Sequence, residues 1–144
     1  MKITVSGPFS KGLEYEAVLD TGFTGFLSMP LMEAIRLGLI LHGTSKIILA
    51  DGSEGFRLTA KGMIEVGDER KIGVVILEAE SSELLLGMDF LRLFEKAMMV
   101  SKDGVLLLSE KVLDKAAEKL QQDRPQVVAP PEKPQLPEPD SDLN

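Results

Sequence analysis

Cysteine is absent from this 144-residue chain, and histidine occurs only once, as His42. Without cysteine there can be no disulfide framework, no thiolate nucleophile and no cysteine-ligated metal. One histidine nearly excludes Ser-His-Asp catalysis and zinc sites that use several histidines. If the protein is an enzyme, carboxylates are therefore its most available catalytic groups, and we expect neither a metal nor a cofactor.

Basic charge and long apolar segments are also scarce. The chain has 16 Lys and Arg against 23 Asp and Glu, a formal net charge of -7 at pH 7. No basic patch stands out, so we expect no nucleic-acid partner and no binding to an anionic membrane. The first residues, "MKITVSGPFSKG", lack the apolar core of a signal peptide, and no apolar run approaches the roughly 20 residues that span a bilayer. We therefore expect a cytoplasmic protein.

Short β-type segments occupy the first hundred or so residues. Residues 2–6 and 13–19 predict a hairpin around "GPFSKG". Residues 45–60 predict a second hairpin that turns at "ADGS", and residues 62–77 predict a third that turns at "GDER". Hydrophobic residues make up 44% of the chain, enough to fold one domain with a modest core.

Two short helices are predicted within this β-rich region. In "LSMPLMEAIRLGL", Ser28 can cap a helix, Pro30 suits its first turn and Gly38 ends it. The segment "ELLLGMDFLRLFEKAM" begins as a buried strand, breaks at Gly87 and continues as a second helix. "GVLLLS" predicts a last buried strand. The pattern as a whole indicates a mostly β domain over residues 1–108.

The remaining residues differ in character. Residues 109–122, "SEKVLDKAAEKLQQ", predict a helix with Ser109 as its cap and a thin apolar stripe of Val112, Ala116 and Leu120. Residues 123–144 hold six of the eight prolines and no aromatic residue, which is typical of a disordered tail.

Asp20 is the first candidate for chemistry, in the segment "VLDTGFTGFL". Asp and Gly are common turn residues and Thr hydroxyls cap turns, so Asp-Thr-Gly alone favours an ordinary turn. Its apolar flanks, however, would hold the loop rigidly against a core, which a catalytic carboxylate needs and a solvated turn does not. Downstream, "LLLGMDFL" indicates a buried strand in which Gly87 would let another backbone segment pass closely. Alone, that strand is ordinary core.

In this order, "VLDTGFTGFL", the "LADGS" hairpin and "LLLGMDFL" followed by a helix resemble the retropepsin-like aspartic proteases. The helix near "MPLMEAIRLGL" makes the chain more similar to the cellular and prokaryotic members of that family than to the compact retroviral ones. The resemblance covers residues 1–108 and does not extend to the tail. It implies a closed β-barrel, corresponding to half of an acid protease, with two short helices.

The resemblance also implies roles for individual residues. Asp20 matches the catalytic carboxylate, Thr21 the hydroxyl that bonds across to a partner's loop, and Gly22 the small residue that lets water and substrate approach. Gly87 matches the structural glycine behind the active loop. The flap, which closes over an extended peptide or protein substrate, is matched at its tip by Ala50, Asp51, Gly52 and Ser53.

Peptide hydrolysis by this mechanism needs two carboxylates that share one proton, one as general base and the other as general acid. The chain supplies a single Asp-Thr-Gly and contains no internal repeat. The resemblance therefore implies a homodimer in which each copy contributes Asp20 to a site on the two-fold axis. The predicted function is an aspartic endopeptidase.

One departure from the family and two alternatives remain. Met88 stands where retroviral members carry an arginine, and "FTGFL" offers no acid to pair with one, so retroviral dimer contacts and subsites do not transfer. The fold could instead serve as a dimeric peptide-binding or protein-binding module with little or no proteolysis. The helix and tail could also provide the main function by docking a larger partner.

We interpret His42 as a surface histidine in a loop.

Overall fold

The computed structural model describes residues 1–48 and 51–123. Ala50 of the predicted flap tip and residues 124–144 of the predicted tail lie outside this range. The strands are β1 Lys2–Ser6, β2 Leu13–Leu19, β3 Leu27–Pro30, β4 Ile40–Ile48, β5 Glu54–Val66, β6 Glu69–Glu78, β7 Leu84–Leu86, β8 Lys96–Ser101 and β9 Gly104–Ser109. The helices are α1 Leu31–Arg36, α2 Met88–Leu93 and α3 Glu110–Gln122.

The main sheet closes on itself. Its strands run in the order β1-β2-β7-β3-β6-β5-β4, and β1 also pairs with β5, so every strand except β4 belongs to a closed ring. β4 lies outside the ring; among the described residues its one strand partner is β5, with which it forms a long antiparallel hairpin. Closure leaves no unpaired edge within the ring. The predicted mostly β fold with a closed barrel, two short helices and a C-terminal helix is therefore confirmed.

The hydrophobic core fills the ring and extends under α2. Alternate residues of the strands point inward, because successive side chains of a strand lie on opposite faces; Val5, Leu27 and Leu86 are fully buried among them. Phe90 and Phe94 come from α2 and its end, with ring centroids 4.7 Å apart. Each fully buried side chain of this size contributes about 1.5–3 kcal/mol of hydrophobic free energy. The packing holds α2 against the ring.

Several predicted turns and hairpins are present. β1 with β2, β4 with β5, and β5 with β6 form antiparallel pairs at the predicted places. Gly38 has a φ of 64° directly after α1, so it ends that helix in the left-handed conformation that glycine adopts easily. Gly52 and Gly67 also have positive φ, in the two later hairpin turns.

Two predictions near α1 are wrong. Ser28 is not a helix cap: it is buried in β3, which pairs with both β6 and β7, and Pro30 occupies the cap position. Strand pairing on both sides outweighs the local cap signal, since β preference depends mainly on neighbouring strands. His42 does not lie in a loop but in β4, at a register shift between Leu41 and Gly43. It is exposed, as predicted.

The predicted structure after α2 is also corrected. The helix ends at Leu93 instead of continuing to Met98, and Glu95 follows it with a φ of 48°. Residues 96–101 then form β8, which was not predicted. β9 is a strand, but within the part of the chain that the structure describes it pairs with β8 alone, outside the ring, so it is half exposed to fully exposed instead of buried.

α3 follows β9 directly. Ser109 occupies its cap position without a side-chain hydrogen bond, and the Glu110 amide donates to the Glu95 carbonyl at 2.9 Å. None of its residues is buried. Within residues 1–48 and 51–123, no helix is both long and apolar enough to cross a membrane.

Candidate active site

Asp20 begins the loop that leaves β2. β2 and β7 run parallel, so their ends lie side by side, and the Asp20 amide donates to the Leu86 carbonyl at 2.9 Å. The Asp20 side chain is held as well: its Oδ1 accepts a hydrogen bond from the Gly22 amide at 2.8 Å. The Phe23 amide donates to the Asp20 carbonyl at 3.2 Å. The carboxylate therefore stands on a short turn whose backbone is fixed to a barrel strand.

Gly87 lies directly behind this loop. The Met88 amide donates to the Phe23 carbonyl at 2.9 Å, and the Gly87 amide donates to the Phe26 carbonyl at 3.3 Å. A Cβ atom on Gly87 would overlap the carbonyl oxygens of Phe23 and Gly25. Only glycine permits this approach, so the loop and the first turn of α2 form one hydrogen-bonded unit.

The loop opens into a wide cleft of about 1470 Å³. Asp20 is half-buried at its side, whereas Thr21 and Gly22 are exposed. Apolar side chains form much of the cleft wall. Those of Ile72 and Val74 on β6 and of Leu93 on α2 are exposed to solvent. The main apolar residues of the lining are Phe23, Ile72, Val74, Ile76, Leu85 and Leu93.

The β4–β5 hairpin borders the same cleft. Residues 45–48 of β4 belong to its lining, but Asp51, Gly52 and Ser53 at the hairpin tip do not. The tip is exposed and is tied internally: Asp51 Oδ1 accepts hydrogen bonds from the Ser53 amide at 2.9 Å and from its hydroxyl at 2.6 Å. In the single chain Asp20, its loop and Gly87 lie together, and the described tip residues Asp51, Gly52 and Ser53 are not part of the cleft lining.

The Ser53 hydroxyl, followed by the Ser53 amide, lowers the pKa of the Asp51 carboxyl below its ordinary value of 3.8. A lowered pKa means that the ionised form stabilises the turn; this contribution is present above the ordinary pKa and is lost as the pH falls through the lowered value. We expect Ser53→Ala to raise the pKa of Asp51, measured by a carbon-13 NMR titration of its carboxyl carbon. Ser101→Ala, in the β8–β9 turn, is the control and should leave Asp51 unchanged. An unchanged Asp51 in Ser53→Ala would contradict the hydrogen bonds of the tip.

Sequence reasoning missed the charged pairs of the cleft. Glu78 lines it at the end of β6 and accepts a hydrogen bond from Arg57 Nε at 2.8 Å; both side chains are half-buried. Asp89 and Arg92 of α2 also line the cleft and pair at 2.9 Å. The alternation of "IGVVILE" places Ile72, Val74, Ile76 and Glu78 on one face of β6, and this signal could have identified the wall.

The chemistry that the arrangement offers is that of carboxylates. Among the residues that the structure describes, no group of three or more His, Asp or Glu side chains is placed to hold a metal ion. Asp20 is the cleft carboxylate that has no arginine partner in these ion pairs. A single positioned carboxylate can act as a general base or a general acid, and two are needed for both roles at once.

A comparison with solved structures finds the crystal structure of a retropepsin-like aspartic protease from Rickettsia conorii. The two chains are 21% identical over 74% of this chain and 79% of that one, with a TM-score of 0.48. No protein-family model matches the chain, and no curated protein matches it.

Proposed function

We propose that the protein is an aspartic endopeptidase that hydrolyses peptide bonds in extended segments of peptides or proteins. Its catalytic groups are two Asp20 carboxylates, one from each copy of a homodimer. The observation that carries the proposal is the fixed turn of Asp20, hydrogen-bonded to β7 and closed from behind by Gly87, at the side of a large cleft. Residues 1–108 are the catalytic domain and residues 109–122 an extension of it.

A second copy is needed because of the charges in the cleft. Its lining contains three carboxylates, from Asp20, Glu78 and Asp89. Glu78 is paired with Arg57 at 2.8 Å and Asp89 with Arg92 at 2.9 Å, so each of these carboxylates already has a cationic partner within the chain. A proton-sharing pair requires a carboxylate next to Asp20 without such a cation. Asp20 of a second copy meets this requirement when the two loops meet on a two-fold axis.

In the dimer, one Asp20 removes a proton from the attacking water while the other, protonated, donates to the leaving amide nitrogen. Thr21, which is exposed in the single chain, donates its hydroxyl to the partner's loop and fixes the distance between the carboxylates. Gly22 leaves room for water and substrate. The β4–β5 hairpin closes over the peptide, and its tip residues Asp51, Gly52 and Ser53 move toward the site on closure.

Cleavage of a peptide library between about pH 4 and pH 7 tests this function, together with the mass by sedimentation equilibrium. We expect a dimer and a bell-shaped pH profile, since only the singly protonated pair is active. A statine-type inhibitor, whose hydroxyl replaces the attacking water, should block cleavage. A strict monomer would exclude the shared site. A dimer that binds peptides without cutting them would establish the alternative, a peptide-binding module.

A further inference from the structure

The side chains of α3 fall into four rows along the helix, because residues four apart lie on the same side. Glu110, Asp114 and Glu118 form an acidic row, and Lys111, Lys115 and Lys119 form the lysine row next to it. The other two rows are apolar up to Leu120 and end at Gln121. They make an apolar band, with one border on the lysine row and the other on the acidic row. The band consists of Val112, Leu113, Ala116, Ala117 and Leu120.

This apolar band has no partner within the described part of the chain. Val112, Leu113 and Leu120 are 54%, 37% and 72% exposed, and no residue of α3 is buried. A helix of 13 residues is marginal in water when no packed face supports it. The β8–β9 hairpin that leads into α3 is likewise a two-stranded sheet outside the ring, a structure of low independent stability.

We propose that α3 pairs with α3 of a second copy, in parallel, along the two-fold axis of the homodimer. This inference rests on the proposed function only in requiring a second copy of the chain. The choice of α3 as the contact surface comes from the arrangement of its apolar and charged rows. It assigns residues 110–122 to dimer assembly and so to completion of the two-carboxylate site.

Charge complementarity selects the parallel arrangement. When two copies of the helix pack through their apolar bands about an axis parallel to both helices, the lysine border of each faces the acidic border of the other, on both sides. In the antiparallel arrangement, lysine faces lysine and acid faces acid. Each facing pair of opposite charges contributes a few tenths of a kcal/mol and each like pair opposes association by a similar amount.

The β8–β9 hairpin can extend this interface. A stable dimer buries about 1,200–2,000 Å² in total, more than two short helices provide. The hairpin, which precedes α3 in the chain, carries exposed apolar side chains on both of its faces, and those of one face can add to the interface. The exposed apolar side chains of the hairpin are Met99, Val100, Val105 and Leu106.

Single cysteines test the pairing without background, because the natural chain has none. Val112 and Leu120 lie two turns apart, about 12 Å along the helix. In the parallel pair, Val112→Cys and Leu120→Cys should each form a disulfide with its own counterpart under mild oxidation. In an antiparallel pair at most one of them can, since a disulfide requires Cα atoms within about 7 Å. Glu118→Cys is the control and should remain reduced, because residue 118 lies about 160° around the helix axis from residue 120 and so points away from the partner helix.

Charge reversals provide a second test. The double variant Lys115→Glu with Lys119→Glu makes both borders mainly acidic, and Glu110→Lys with Asp114→Lys makes both mainly basic. Each should dimerise at least about 10-fold more weakly than the wild type, whereas an equimolar mixture of the two should form heterodimers. All four reversals together restore complementarity and should dimerise as the wild type does. Circular dichroism checks that every variant remains folded.

The outcomes separate this inference from the proposed function. If the wild type is a dimer that cleaves peptides, but neither cysteine crosslinks and the reversals leave its Kd unchanged, the α3 pairing is wrong and the peptidase stands. If both cysteines crosslink and no peptide is cut, the pairing stands and the peptidase is wrong. A wild type that remains monomeric at every concentration contradicts both.

Discussion

Asp20→Asn should abolish peptide cleavage, lowering kcat/KM by at least about 10³-fold, while the protein folds and dimerises as before. Asparagine has nearly the shape of aspartate, but its neutral amide is not basic enough to remove a proton from water. It does keep a side-chain oxygen that can accept the Gly22 amide, so the turn that holds Asp20 is preserved. Initial rates on a fluorogenic peptide measure the activity, and circular dichroism and sedimentation check fold and mass.

Asp89→Asn is the matched control for this substitution. Asp89 also lines the cleft and also carries a carboxylate, but it is paired with Arg92 on α2. The same chemical change there should leave most of the activity, with an effect confined to substrate binding. Equal cleavage by Asp20→Asn and the wild type would indicate a contaminating protease or a different catalytic group.

Gly87→Ala should be the most destabilising of the substitutions considered, by about 3 kcal/mol or more. The added methyl group would overlap the carbonyl oxygens of Phe23 and Gly25, which belong to backbone that cannot move without breaking the hydrogen bonds around the loop. For a domain of this size the Tm should fall by about 10 °C or more. Thermal unfolding followed by circular dichroism measures the loss.

Gly67→Ala separates this close approach from the general cost of replacing glycine. Gly67 lies in the β5–β6 turn with a φ of 57°, and a Cβ there would meet nothing within 4 Å. Its replacement should cost only about 1–2 kcal/mol, the penalty of a left-handed backbone. Similar unfolding temperatures for the two variants would contradict the close approach of the Phe23 and Gly25 carbonyl oxygens to Gly87.

The strands that the sequence predicted well are those whose register depends on local signals. Residues 2–6 and 13–19 became β1 and β2 with the predicted bounds, because their turn residues and alternating apolar residues act over a few positions. Gly87 was predicted for the same reason: three leucines before a glycine mark a strand end where bulk is not tolerated. The closed barrel came from the resemblance to the retropepsin-like proteases, since the strand pattern by itself indicated only a mostly β domain.

The errors lie where distant strands decide the structure. Ser28 is a good helix-cap residue, but β6 and β7 pair with its segment on either side. No residue close to Ser28 in the sequence indicates these two pairings. The "GVLLLS" strand was predicted to be core because it is apolar, yet it pairs with β8 and not with a strand of the ring.

Mixing wild type with Asp20→Asn measures most directly whether two copies share one site. The two proteins are refolded together so that subunits assort at random, and the rate is expressed per wild-type chain. With equal amounts the rate should fall to about half, and with a threefold excess of Asp20→Asn to about a quarter, because only wild-type pairs are active. A rate per wild-type chain that stays constant at every ratio would contradict the shared site and place catalysis within a single chain.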